Sequence, residues 1–241
     1  MFIPGAINVL ENLSKQRKRF VLISNAPRPS NSVKKYLINL KMDNKFLENV
    51  FTSGEAAIKT LRKNVYGKKF YHLGPERDKD LIVEFKENKT TLEKCDFILC
   101  TGLFEDKKSS LVYYKNLLKE HKKLFMVCTN PDLIVHRGSE SEYCAGAVAM
   151  EFKKMGGKVV YFGKPYPEIY NFCLKKNEKV LAIGDNIRTD IRGANFMKFD
   201  SLFIIGGIHR NEFSNLSIEH YDKILKKYKA KTNFYQKELT W

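Results

Sequence analysis

Asp185 and Asp190 stand five residues apart in VLAIGDNIRTDIRGAN, the stretch from Val180 to Asn195. The apolar run Val180 to Ile183 is short enough for a strand and apolar on both faces, as a parallel strand buried between helices requires. Asp185 then falls at the strand's carboxyl end, and Thr189 and Asp190 open a helix whose Ile191 and Ala194 would face the sheet. Two carboxylates converging there suit a hard cation, because Mg2+ takes oxygen ligands, keeps several waters and binds through one or two carboxylates together with a substrate phosphate. Asp185 is equally a turn residue, and Thr189 and Asp190 are equally a helix cap and its first-turn charge.

A second feature is Gly163-Lys164-Pro165, between the strand-like run Val159 to Phe162 and a helix beginning near Pro167. A lysine delivered at a strand end neutralises a phosphate or a carboxylate. A third is SNAPRPSNS after the strand Arg19 to Ser24. The Ser24 hydroxyl and the backbone amides beyond it are placed to donate to phosphoryl oxygens, with Asn25 as a weaker ligand and Arg28 as a shaping residue. The same residues also make an ordinary turn leading to a helix cap.

Taken together, Ser24-Asn25, Lys164 in GKPYPEIY and Asp185 with Asp190 in GDNIRTDI resemble motifs two, three and four of the haloacid dehalogenase (HAD) superfamily. More closely, SNAPR, FTSGEAA, CTNPD, CAGAVAMEF and YFGKPYPEIY, in this order, resemble the class IIA, NagD-like phosphatases over about Pro4 to Gly207. The resemblance implies a Rossmann-like parallel sheet with an inserted α/β cap. It also implies a Mg2+-dependent phosphatase of small phosphorylated metabolites working through an aspartyl-phosphate intermediate. In that scheme Lys164 and Ser24 steady the phosphoryl oxygens, and Asp185, with Asp190 behind it, holds the metal. Thr129, Asn130 and Asp132 form the substrate-facing loop, although they also suit an Asx-type turn before a helix.

The family's nucleophilic aspartate lies on a strand preceding everything matched here. No DxD or DxW pattern follows an apolar run near the N-terminus, and the first aspartate, Asp43, comes after Ser24. The chain is therefore expected to lack the nucleophile, to bind Mg2+ weakly and to be inactive as it stands, a truncated phosphatase. The alternative is a pseudoenzyme that binds a phosphorylated metabolite or partner. In the family the absent strand lies mid-sheet, between those ending at Ser24 and Asp185, so an exposed gap or a rearranged sheet and a tendency to associate are expected.

The elements that must position these groups alternate along the chain. Helices are expected at Ile7 to Lys15, up to Leu40, from Ser53 to Lys63, through a charged segment to Phe85, and at Ser109 to Lys119, Glu142 to Met155 and Ser217 to Lys227. Strands are expected around Phe51 and at Phe70 to Leu73, Phe97 to Cys100, Leu124 to Cys128, Val159 to Phe162 and Ser201 to Ile205. The core is assigned to residues 1–67 and 162–241 and the cap to 68–161, with a polar tail to Trp241 that is either loose or docked on the body through Phe234, Tyr235 and Trp241.

At 241 residues with 43% hydrophobic content, the chain can bury one sizeable core or a core with a smaller inserted domain. No apolar run approaches the length of a membrane span and no secretory pattern opens the chain, so a cytoplasmic protein is expected. Five cysteines without a CxxC read as free buried thiols rather than a zinc site. The net charge of +16 is spread along the chain without a nucleic-acid motif, which makes nucleic acid an unlikely partner. A homodimer through the cap would be in keeping with the resemblance.

Overall fold

Short parallel strands alternate with helices throughout the computed structural model, which describes residues 4–137, 140–175, 177–214 and 217–241. In chain order the first elements are α1 (Pro4–Lys15), β1 (Leu22–Ser24), α2 (Ser30–Asn39), β2 (Val50–Thr52), α3 (Ser53–Leu61), β3 (Phe70–Leu73) and β4 (Phe97–Cys100). Then come α4 (Leu111–Leu118), β5 (Phe125–Cys128), β6 (Ile134–Arg137), β7 (Glu140–Tyr143), α5 (Ala145–Lys154), β8 (Lys158–Tyr161) and α6 (Pro167–Cys173). The chain closes with β9 (Leu181–Gly184), α7 (Arg192–Met197), β10 (Asp200–Ile204), α8 (Ile218–Lys227) and β11 (Phe234–Gln236).

By contact the chain divides into two units, one of Met1–Val21, Asn39–Asn49 and Lys164–Trp241, the other of Leu22–Ile38 and Val50–Gly163. Segments 22–38 and 50–67, assigned to the core from sequence, thus group with the inserted α/β part. Hydrogen bonding explains the grouping. Among the described residues β1 pairs only with β2, and Ser53, at the start of α3, places its hydroxyl between the carbonyls of Ala26 (2.9 Å) and Thr129 (2.5 Å).

The larger unit is built on a four-stranded parallel sheet in the order β3-β4-β5-β8. Its central strand, Phe97-Ile98-Leu99-Cys100, is buried at every position, as a strand covered on both faces must be. α5 packs its small residues Ala145, Gly146, Ala147 and Ala149 inward. The helix expected from Glu142 begins instead at Ala145, because Glu142 lies in β7, which pairs antiparallel with β6. The charged helix expected through Phe85 is a pair of 3-10 turns, Glu76–Leu81 and Val83–Asn88. Leu81 and Ile82 are both buried while Val83 is exposed, so the apolar positions are adjacent and offer no continuous helix face.

In the other unit β9, β10 and β11 form a parallel sheet in the order β11-β10-β9. Ile187, Ile191, Phe203, Phe213, Ile224 and Leu225 form its core, with α8 supplying the last two. Two expectations are corrected here. The tail is not loose: β11 lies in register with β10, and the carbonyls of Gln236 and Lys237 accept from the amides of Ile205 (2.9 Å) and Gly206 (2.8 Å). Nor is β9 buried on both faces, since it is an edge strand with Leu181 48% and Ile183 39% exposed.

Candidate functional site

β9 delivers Asp185 directly at its carboxyl end, and a single π-helical turn, Ile187–Ile191, carries Asp190 back under it. Asn186 caps that turn, its side chain accepting from the amide of Arg188 at 2.9 Å. The turn explains why Asp190 precedes the regular helix rather than opening it. Asp190 is buried, with both carboxylate oxygens engaged: Lys164 Nζ donates to Oδ1 at 2.6 Å and the Asn186 amide to Oδ2 at 3.1 Å. Gly184 is required by this packing, since a Cβ there would meet the Asp190 carboxyl at 2.2 Å.

Asp185 is different. Its Oδ2 accepts from the Ile208 amide at 3.0 Å, and Oδ1 has no partner among the described residues. Asp185 therefore fits a hard cation as one carboxylate ligand. Asp190 accepts one hydrogen bond at each oxygen, from Lys164 and from the Asn186 amide, which leaves each oxygen a further lone pair. No cluster of three or more His, Cys, Asp or Glu able to hold a metal occurs among the described residues. A Mg2+ bound at Asp185 would rely on water and substrate for its other ligands.

Ser24 and Asn25 belong to the larger unit, where the loops after β1, β3, β4 and β5 line a cleft of about 280 Å³. Loops at the carboxyl ends of parallel strands are where open α/β folds bind ligands. The Ser24 hydroxyl accepts from the Ala26 amide at 3.2 Å, which leaves its own O–H to donate. Asn25 Nδ2 donates to Asp132 Oδ1 at 3.0 Å, and Asn130 Oδ1 accepts from the Asp132 amide at 3.0 Å. The Asx turn anticipated at 130–132 is thus present, and Asn130 and Asp132 line the cleft as well. Thr129 does not. It is fully buried, with its amide 3.0 Å and its hydroxyl 3.3 Å from the Cys100 carbonyl, because it continues the β5 pairing with β4.

The loop after β1 is clamped. Thr52 Oγ1 donates to the Arg28 carbonyl at 2.7 Å, the Gly54 amide donates to Ala26 at 3.1 Å, and a Cβ on Gly54 would strike the Arg28 oxygen at 2.5 Å. The FTSGEAA motif is therefore a platform for SNAPR. Gly163, with φ at +126°, occupies backbone space few other residues adopt, and a Cβ there would meet Pro131 and the Asn25 amide oxygen.

Sequence reading missed the polar floor of the cleft. Asp78, only 3% exposed, sits 3.6 Å from Arg28 Nε. Burial pushes its carboxyl up to about 6, against the opposing charges of Arg28 and Arg77 and a hydrogen bond from Thr101. The hydroxyl of Thr101 also lies 3.0 Å from His72 Nε2, and burial, reinforced by the charge of Lys89, drives His72 down to about 4. The available signal was GPERD following a strand, a turn in which an acidic residue ordinarily reads as solvated.

An α/β fold with acid, lysine and hydroxyl groups at the carboxyl ends of its parallel strands has the makings of a HAD-type hydrolase. Residues 1–86 match the family model of haloacid dehalogenase-like hydrolases, and residues 161–230 match a second, HAD-hydrolase-like model. The chain belongs to the haloacid dehalogenase-like hydrolases, in the class IIA, NagD-like phosphatase group. It is 24% identical over 220 residues to the ribonucleotide monophosphatase NagD of Escherichia coli, covering 86% of this chain and 82% of that one. A haloacid dehalogenase-like hydrolase from Brucella suis superposes with a TM-score of 0.82 at 26% identity, over 99% of this chain and 89% of that one. The p-nitrophenyl phosphatase from Archaeoglobus fulgidus shares the fold, with a TM-score of 0.75 at 16% identity over 98% and 90% of the two chains. No helix among the described residues is long and apolar enough to cross a membrane.

Proposed function

We propose that the chain serves Mg2+-dependent phosphomonoester chemistry on a small phosphorylated metabolite, and that residues 1–241 by themselves bind such an ester without turning it over. The observation that carries the reading is the Lys164–Asp190 pair at 2.6 Å next to an Asp185 carboxylate with one uncommitted oxygen. Asp190 fixes the ammonium of Lys164, which neutralises phosphoryl oxygens. When bound at Asp185, Mg2+ would supply charge stabilisation for those oxygens. In the other unit the Ser24 hydroxyl, its own O–H left to donate, is by itself a phosphate donor.

Covalent catalysis in this group needs a carboxylate nucleophile, and none of the 241 residues matches one. Asp43, the first aspartate of the sequence, is taken up by Lys45, whose amide and ammonium both lie 3.0 Å from its carboxylate. Hydrolysis of 4-nitrophenyl phosphate with Mg2+, measured beside Lys164→Ala and Asp185→Ala, tests the second half of the proposal. No turnover by any of the three is expected. Turnover that disappears in both variants would place a working nucleophile within these residues, with the cleft carboxylate Asp78 the first to examine.

A further inference from the structure

Asp185, at the carboxyl end of β9, is held by the loop that follows β10. Its Oδ2 accepts from the Ile208 amide at 3.0 Å, and Gly207 packs so closely that a Cβ there would meet the same oxygen at 2.2 Å. With Oδ2 fixed against this loop, Oδ1 is the oxygen left for a cation. The loop in turn is gathered by Glu212. His209 Nδ1 lies 2.6 Å from Glu212 Oε1, the Tyr228 hydroxyl donates to the two carboxylate oxygens at 2.8 and 3.0 Å, and the Lys227 ammonium stands 3.4 Å from Oε2. The Glu212 carbonyl accepts from His220 Nε2 at 2.8 Å. Tyr228 caps α8 and also carries the Arg188 guanidinium over its ring, 4.7 Å from the centroid. Arg188 belongs to the π-helical turn after Asp185, so one tyrosine braces the chain on both sides of that carboxylate.

Apolar packing alone does not account for this arrangement. His209 is buried edge-on against the rings of Phe203, 6.3 Å away, and Tyr228, 5.1 Å away, and its Nε2 has no hydrogen-bond partner among the described residues. An ionised Glu212 only accepts, so Nδ1 carries the ring proton and Nε2 keeps an unshared lone pair. A buried acceptor left unpaired costs stability, and a phenylalanine would fill the same space without that cost. What the histidine adds is a directional bond to Glu212, made one residue beyond the amide that holds Asp185.

We propose that Glu212 is the positioning residue for Asp185: through His209 and Tyr228 it fixes the Ile208 amide, which sets the rotation of the Asp185 carboxylate and keeps Oδ1 turned to the metal. Glu212 itself touches neither metal nor phosphate. The assignment rests on the reading of Asp185 as a Mg2+ ligand and extends it to the loop that orients that ligand. Every residue in the relay lies within a single unit of the chain.

Calorimetric titration of the chain with inorganic phosphate, with and without Mg2+, tests the assignment, and the quantity read is the factor by which Mg2+ strengthens binding. Glu212→Ala is expected to lower that factor about fivefold, the equivalent of one typical hydrogen bond. Tyr228→Phe, a milder change that keeps the ring beneath Arg188, should lower it by less, and Glu212→Gln, which retains an accepting oxygen for His209, should restore most of it. Phosphate binding without Mg2+, which rests on Lys164, should stay as in the parent throughout. Ile224→Val, a small loss from the same core, should lower the unfolding temperature and leave the factor untouched. An undiminished factor in Glu212→Ala and Tyr228→Phe, an equal loss in Ile224→Val, or a parallel loss of Mg2+-free binding would overturn the assignment while leaving Asp185 as the metal ligand. A parent protein whose phosphate binding ignores Mg2+ would overturn both.

Discussion

Lys164 Nζ lies 2.6 Å from Asp190 Oδ1, and the other oxygen of Asp190 is held at 3.1 Å by the amide of Asn186. Both side chains are largely buried, so removing Asp190 takes a charged partner from Lys164 in a poorly solvated place. Asp190→Ala should therefore cost about 2–4 kcal/mol of stability, below the upper range for fully buried pairs because Lys164 keeps some contact with water. Gly184→Ala should reproduce part of this, since its methyl group would displace the same carboxylate. Urea unfolding of the two variants measures both effects, and a Gly184→Ala protein as stable as the parent would contradict the packing described.

The platform under the phosphate loop is open to a similar test. A methyl group on Gly54 would collide with the backbone of Pro27 and Arg28, which has no flexible end to give way. Gly54→Ala should cost about 1–3 kcal/mol and weaken phosphate binding, because the loop that moves is the one carrying Ser24. Unaltered phosphate affinity in a folded Gly54→Ala protein would show that the loop is not set by this contact.

His72 and Asp78 impose opposite pH dependences through the shared Thr101. Burial lowers His72 from 6.5 to about 4, so its contribution to stability is present above pH 6.5 and is lost as pH falls through 4. Burial raises Asp78 from 3.8 to about 6, so its contribution is present below pH 3.8 and is lost as pH rises through 6. Over pH 4 to 6.5 the two terms, each on the order of 3 kcal/mol, largely cancel. Asp78→Asn should lose stability steeply on acidification across that window, and His72→Gln should gain it. Thermal melts of the three proteins at pH 4.5, 5.5 and 6.5 give the comparison, and parallel curves would rule out the coupling.

Among the described residues β9 is an edge strand with Leu181 and Ile183 half exposed, the kind of strand on which chains associate. Sedimentation over a range of concentrations should show self-association. Leu181→Lys with Ile183→Lys should suppress it without lowering the unfolding temperature, as neither side chain is in the core. A parent protein that stays monomeric throughout would remove the edge from consideration.

Much of this architecture is legible in the sequence where local signals agree. The strand, glycine and carboxylate of VLAIGD, and the glycine and lysine of YFGKP, are strong because apolar run and chain punctuation fall together. Other parts are invisible because they depend on distant chain. β11 reads as a polar tail, since NFYQ is a short edge strand whose partner lies some thirty residues earlier. Hairpin β6–β7 hides in a charged segment of the sequence. Thr129 reads as a loop residue until β5 is found to continue through it. Arg28 and Asp78, fifty residues apart, become a pair only when loops from separate strands enclose one cleft.

Calorimetric titration of the chain with inorganic phosphate, with and without Mg2+, beside Lys164→Ala, Asp185→Ala and Ser24→Ala, tests the central claim most directly. Binding that strengthens with Mg2+, weakens about tenfold or more in Lys164→Ala and Ser24→Ala, and loses its metal dependence in Asp185→Ala is the predicted result. Absence of phosphate binding, or binding indifferent to all three substitutions, would contradict it.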